Sequence, residues 1–230
     1  MPEIQTQPIE SLHPKPSPLL KRKAELPPWI DIVAFSPTAW EESHSRPGLL
    51  MSRCAENRRV FFFEPPLFDA RDDSYLAITK RNDVNVITPH LRVGDPNPDK
   101  TMEKMLGLLL SLAEIHQYIF WHFSPKGISY SIQFPSECII YDCINEPKWI
   151  VDEEPSAYEE LRTKLIAAAD LIFTGDLNLY LAVSKSHTNI HLFVDTENPR
   201  MADWNKLWDE MNRVLSNTLR SILSVRWIDQ

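Results

Sequence analysis

Two carboxylates at the end of an apolar run are the first residues whose placement invites chemistry. Asp142 and Glu146 close the stretch ECIIYDCINE, residues 137–146. A carboxylate at the mouth of a strand can take a proton from a hydroxyl as a general base. It can equally cap the following segment or bind neighbouring loops, and on position alone that structural role is the stronger reading. His187 and His191 are four residues apart, but one ends a helix and the other sits in a strand. They share no helical face, so two satisfied histidines are expected rather than a metal pair. Lys185, near a helix end, is placed to offset the helix dipole rather than to hold a phosphate. Cys54, Cys138 and Cys143 cannot all pair and match no zinc spacing, which points to reduced thiols. After the first strand comes Ser36-Pro37-Thr38-Ala39-Trp40, not a glycine-rich phosphate loop, and the whole chain has 5 glycines. NAD and FAD are therefore not expected, nor is a P-loop or a Gly-x-Ser-x-Gly nucleophile elbow. No cofactor or metal is assigned.

The elements that must position these groups alternate. Residues 29–36 (WIDIVAFS), 59–64 (RVFFFE), 83–89 (DVNVITP), 118–123 (YIFWHF), 137–143, 170–174 and 189–194 read as strands. RVFFFE lacks alternation, as expected of a strand buried on both faces. Helices are expected from Pro47, from about residue 99, over 176–184, and along the stripe Trp204, Leu207, Trp208, Met211, Leu215 and Ile222. A short helix or turn is expected at 126–133, and a capping box of Ser156 and Glu159 opens another helix. Strand, helix and strand follow one another in residues 169–195, a βαβ unit that demands parallel strands. The predicted fold is α/β: a Rossmann-like, doubly wound, mainly parallel sheet of about six or seven strands with helices on both faces.

Ligands in such sheets bind at the carboxyl ends of the strands. That rule selects residues 36–46, 64–65, 90, 122–124, 142–146 and 175–176. The candidate cleft or acceptor residues among them are His44, Arg46, Glu64, His122, Asp142, Asn145, Glu146 and Gly175.

The bulk numbers limit the partners. A net charge of −8 over 230 residues argues against nucleic acid. Residues 1–28 read as a flexible, proline-rich basic tail, and residues 29–230 as one domain. Within the tail, Lys21-Arg22-Lys23 supports at most peripheral membrane contact. The absence of a long apolar run or a signal-peptide core leads to the expectation of a soluble, cytoplasmic protein.

Several stretches together resemble the N-terminal lobe of bacterial GT-B-fold glycosyltransferases, the retaining family that uses nucleotide-sugar donors. They are Trp40 and Arg46-Pro47 after the first strand, Leu50-Met51-Ser52-Arg53, and Arg58-Arg59-Val60-Phe61-Phe62-Phe63-Glu64-Pro65. Tyr141-Asp142-Cys143-Ile144-Asn145-Glu146, Ala169-Asp170-Leu171-Ile172-Phe173-Thr174-Gly175 and Leu179-Tyr180 follow. His187, Asn189-Ile190-His191-Leu192-Phe193 and Val194-Asp195 complete a match over about residues 30 to 195. The resemblance implies an acceptor lobe facing a separate donor lobe, with a last helix, residues 202–222, returning to pack on the first lobe. Between Asp195 and Ala202 there is no room for a donor lobe. Gly48-Leu49 stands where the family often has Gln-His, and Leu181, Val183 and Ser184 stand where it often has a glutamate and a Lys-Arg pair. The implied role is an accessory or split subunit in glycan synthesis, without turnover of its own, that meets a donor-lobe protein and a glycan acceptor. The alternative is a non-catalytic binding or scaffolding module using the old cleft or apolar residues such as Leu181 and Val183. A minimal enzyme that completes its donor site by dimerising is the third and weakest reading.

Overall fold

The computed structural model describes residues 29–40, 46–143, 155–193 and 201–228. The flexible tail expected at 1–28 lies outside them. The strands are β1 (Asp31–Phe35), β2 (Val60–Phe63), β3 (Leu67–Ala70), β4 (Tyr75–Arg81), β5 (Val84–Arg92), β6 (Tyr118–His122), β7 (Cys138–Cys143), β8 (Leu171–Thr174) and β9 (Ile190–Leu192). The helices are α1 (Arg46–Ala55), α2 (Pro98–Leu112), α3 (Ile128–Ser131), α4 (Pro155–Ala168), α5 (Leu177–Val183) and α6 (Met201–Ile228).

The strands form one sheet in the hydrogen-bonded order β3-β5-β2-β1-β6-β7-β8-β9, with β4 also paired to β5. Every pair is parallel except β4 with β5. His90 pairs at once with Leu67 of β3 and Tyr75 of β4, and residues 85–87 pair with both β2 and β4. So β2 and then β3 share one edge of β5, and β4 takes the other. The fold is the expected α/β, Rossmann-like, doubly wound sheet.

The seven strands read from the sequence are present, and β3 and β4 are additional. Their signal is weak because β3 is largely exposed and β4 buries no residue fully, with only Leu76 and Ala77 partly covered. The strand read from Asp83 begins instead at Val84. Asn82 and Asp83 have positive φ, 47° and 64°, and form the two-residue turn between β4 and β5.

Strand alternation divides the core into two layers. Ile32, Ala34, Phe62, Ile119, Trp121, Ile140 and Phe173 pack under α1 and α6, whose Leu50, Met51, Met211, Leu215 and Leu219 are buried against them. Val33, Phe35, Phe61, Phe63, Ile87 and Phe120 pack on the other face against Met102, Met105, Leu106 and Leu109 of α2. A third cluster joins Tyr141, Ile172 and Ile190 to Leu165 of α4 and Val183 of α5. Local chemistry sets several element ends. Asn97 caps α2 by accepting from Lys100 N at 3.2 Å, and Pro98 fills the first helical position, where no N–H partner is needed. Asp176 caps α5 by accepting from Asn178 N at 2.7 Å. The capping box expected of Ser156 and Glu159 is corrected: α4 already starts at Pro155, and the Glu159 carboxylate accepts from Arg162 at 3.1 Å.

Gly127 follows β6 in a short 3-10 turn, where a Cβ would lie 2.9 Å from His122 Nδ1 and from Phe35 Cβ and Cγ. These neighbours are ring and core atoms with little room to retreat. Gly127→Ala should therefore cost about 1–3 kcal/mol, read as a lower urea midpoint with an unchanged m-value.

Candidate functional site

The chain leaves β1 toward β2 on one side, and β6 leads to β7 on the other. The crevice between β1 and β6 is thus the topological switch point, where this fold places ligands. The loop after β1 is folded by Ser36, whose hydroxyl donates to Thr38 O at 2.8 Å and accepts from Thr38 N at 3.1 Å. Trp40 is buried edge-on to Phe62, with ring centroids 4.9 Å apart. The Trp40 backbone N–H donates to Glu64 Oε1 at 2.7 Å, while Glu64 Oε2 accepts from Thr88 Oγ1 at 2.5 Å. Glu64 is therefore a clamp between the β1 loop and β5.

Arg46 opens α1 and reaches Asp142 near the end of β7. Its Nε donates to Asp142 Oδ1 at 3.3 Å and its Nη2 to Oδ2 at 3.4 Å. The two side chains are 2% and 1% exposed. From α6, the Met211 sulfur accepts from Nη2 at 3.0 Å and the Trp204 ring centroid lies 5.9 Å from the guanidinium carbon. Arg46 Nη1 is buried with no hydrogen-bond partner among the described residues. Beside the pair lies a cavity of about 20 Å³ lined by Pro37, Arg46, Pro47, Phe123 and Asp142. A cavity of that size has room for about one water. Two opposite charges are thus desolvated together as one buried pair.

His122 ends β6 fully buried, stacked on Phe35 at 4.7 Å with its Nε2 3.5 Å from Ser131 Oγ. Burial pushes its pKa down to about 3, so the ring is neutral at physiological pH. Gly175 lies half-buried in the bend between β8 and α5. The structure therefore brings Arg46 and Asp142 into contact, sets Glu64 and His122 in neighbouring internal contacts, and places Gly175 at the end of the next strand. His44, Asn145 and Glu146 lie outside the described residues. His90 lies two strands from the crevice, bonded to Asp69 at 2.8 Å and stacked on Tyr75 at 4.5 Å.

The remaining polar candidates have local partners. His187 Nε2 meets Ala169 O at 2.7 Å, and His191 Nε2 meets Asn189 Oδ1 at 3.0 Å. No cluster of metal-ligating side chains occurs among the described residues. The three cysteines are free and buried, and burial pushes the Cys54 and Cys143 thiols up to about 12, away from nucleophilic use. No described helix is long and apolar enough to cross a membrane. Val183 is buried in the cluster with Leu165 and Ile172, so it offers no surface to a partner, whereas Leu177 and Leu181 are 55% and 53% exposed on α5. The contacts of Trp204 and Met211 with Arg46 could not be read from the sequence. The helical stripe marked both as core residues, but their partner is 165 positions from Met211.

No protein-family model and no curated protein matches the chain. Among solved structures, it is similar to the α,α-trehalose 6-phosphate synthase from Burkholderia multivorans, with 13% identity and a TM-score of 0.44. The similarity covers 68% of this chain and 41% of that one, so the chain spans less than half the length of that protein.

Two outcomes are expected. Arg46→Met leaves the buried Asp142 carboxylate without its cation and should lower stability by about 3–5 kcal/mol, while adding Asp142→Leu should recover most of the loss; urea denaturation at neutral pH measures both. His122 has a folded pKa depressed from 6.5 to about 3. Its stabilising contribution is present above pH 6.5 and lost as pH falls, because the unfolded chain binds a proton the native state refuses. Between pH 6 and 4 the stability of His122→Gln should fall less steeply than that of the parent, by about 1.4 kcal/mol per pH unit.

Proposed function

We propose that this chain is an acceptor-type lobe of the two-lobed, nucleotide-sugar-dependent glycosyltransferase kind. It acts as an accessory or split subunit in glycan or polysaccharide synthesis and does not turn over alone. One observation carries the second half of this reading: the charged groups at the switch point are spent inside the lobe. Arg46 and Asp142 neutralise each other under α6, and Glu64 is engaged by Trp40 and Thr88. His122 is neutral and buried. Stabilising a departing nucleotide diphosphate needs preorganised donors aimed at the developing charge. A buried pair beside a cavity with room for about one water cannot supply them.

The first half rests on the spread of motifs over about residues 30 to 195 and on α6, which packs on the same sheet through Met211, Leu215 and Leu219. In this reading the missing chemistry is supplied by a separate donor-lobe protein. A second reading, a non-catalytic scaffold on the same fold, is favoured by the exposed pair Leu177 and Leu181, one helical turn apart on α5 at the carboxyl end of β8. On either reading α5 is a contact surface rather than a donor grip.

Calorimetric titration of the purified chain with UDP- and GDP-sugars should give no saturable binding heat. Purification from its native source should recover a donor-lobe protein, and the pair should transfer sugar. Saturable nucleotide-sugar binding by the chain alone would overturn the lack of independent turnover. Recovery of no donor-lobe protein would leave the scaffold reading.

A further inference from the structure

β5 runs on past the carboxyl end of β2, whose last pair with it is Phe63↔Ile87, and His90 lies on this overhang. Paired residues share a face, so the His90 side chain stands between Leu67 of β3 and Tyr75 of β4. Thr88 precedes it on the same face and bonds Glu64, which holds the β1 loop through the Trp40 backbone. The imidazole therefore rises from the end of the sheet where this fold places ligands, on the side of the β1 loop.

Two contacts fix the ring and leave one nitrogen over. Tyr75 stacks on it with centroids 4.5 Å apart and planes 5° from parallel. Between Leu67↔His90 and Ala70↔Arg92 three steps along β3 match two along β5, a bulge that includes Asp69. Asp69 Oδ1 lies 2.8 Å from His90 Nδ1. A carboxylate can only accept, so in the neutral ring we assign the proton to Nδ1, which leaves Nε2 a bare acceptor. The His90 side chain is 16% exposed, yet Nε2 bonds no described group and is not among the buried unpartnered atoms, so it opens outward. A pin between the bulge and β5 would be complete at Nδ1. An aimed and open Nε2 adds nothing to that role.

The site asks for a hydrogen-bond donor. Asp69, 54% exposed, adds its second oxygen as another acceptor. Its charge disfavours an anion, and Arg92, exposed two residues along the same face, disfavours a cation. Neutral hydroxyls remain. Tyr75 and Leu67, 53% and 46% exposed, flank the ring with apolar surface. Vicinal hydroxyls on an apolar carbon ring describe a pyranose. We propose that His90, Asp69, Tyr75 and Leu67 form a carbohydrate subsite. In it Nε2 and the second Asp69 oxygen accept from two hydroxyls of one neutral sugar, and Tyr75 and Leu67 meet its C–H surface. The proposal rests on the acceptor-lobe reading and gives the acceptor a place outside the crevice, whose own charges are already paired.

Long-range 1H–15N spectra of the histidine rings in the full chain test this, with the methyl pyranosides of glucose, galactose and mannose as probes. The free chain should show His90 protonated on Nδ1. At least one probe should move its Nε2 resonance saturably, with a Kd in about the millimolar range, while exposed His116 stays still. Asp69→Asn frees the proton to sit on Nε2 and should weaken that binding about tenfold or more, as should Tyr75→Ala. Unchanged urea midpoints separate lost binding from lost folding. A ring protonated on Nε2, a His90 resonance indifferent to every probe, or equal binding by Asp69→Asn would each overturn the subsite. The parent reading is tested apart from it. A chain that recovers a donor-lobe protein but binds no probe loses the subsite and keeps the acceptor lobe, whereas probe binding with no such protein does the reverse.

Discussion

Parallel strands joined by crossovers have both faces to cover, and in this protein α6 completes the cover on one face. Strands β1, β2, β6 and β8 are buried throughout. Leaving the α1 face partly open would expose Trp121, Ile140 and Phe173, which are buried beneath Met211, Leu215 and Leu219. At about 25 cal/mol per Å² of apolar surface, that exposure would outweigh any single polar contact in the lobe. The position of α6 is thus set by the core. Asn189, which donates to Asp170 O at 2.7 Å and to Thr218 Oγ1 at 3.0 Å, also links α6 to the β8–β9 edge.

The state of the switch-point crevice follows from that placement. Once α6 lies across the strands, Met211 and Trp204 sit over the Arg46 guanidinium and water is largely excluded. A charge held there must find its counter-charge nearby, and Asp142 is positioned to provide it. The same packing that stabilises the lobe removes two obvious candidates from contact with a ligand. His122 shows a related effect on the opposite face. The close approach of Gly127 and Phe35 holds the imidazole in a dry site, where the neutral form wins.

The ends of the sheet are governed differently. β9 is tied to α6 through Asn189, whereas among the described residues β4 pairs with β5 alone. The fold therefore combines a centre covered on both faces with an edge strand, β4, that meets no further strand among the described residues.

Seven of the strands, their parallel pairing and the last helix were legible in the amino-acid sequence because continuous apolar runs and a period-3.6 stripe are local patterns, whereas the return of that helix onto the sheet was implied only by the family resemblance. RVFFFE could hardly be other than a doubly covered strand, and Trp204, Met211 and Leu215 mark one helical face. The β3 and β4 extension was not legible. Exposed strands carry little hydrophobic contrast, and Asn82-Asp83 is a weaker turn signal than Asn-Gly. The carboxyl-end rule picked Glu64, His122 and Asp142, which lie at or near the ends of β2, β6 and β7, and Arg46, which opens α1 after the β1 loop, but said nothing of their state. Whether a charge at a strand end faces a ligand or another side chain depends on residues far away in sequence: Arg46 lies 96 positions from Asp142 and 165 from Met211. Local pattern placed those side chains at the crevice. Only tertiary packing, by deciding where water is excluded, turned them into an internal ion pair.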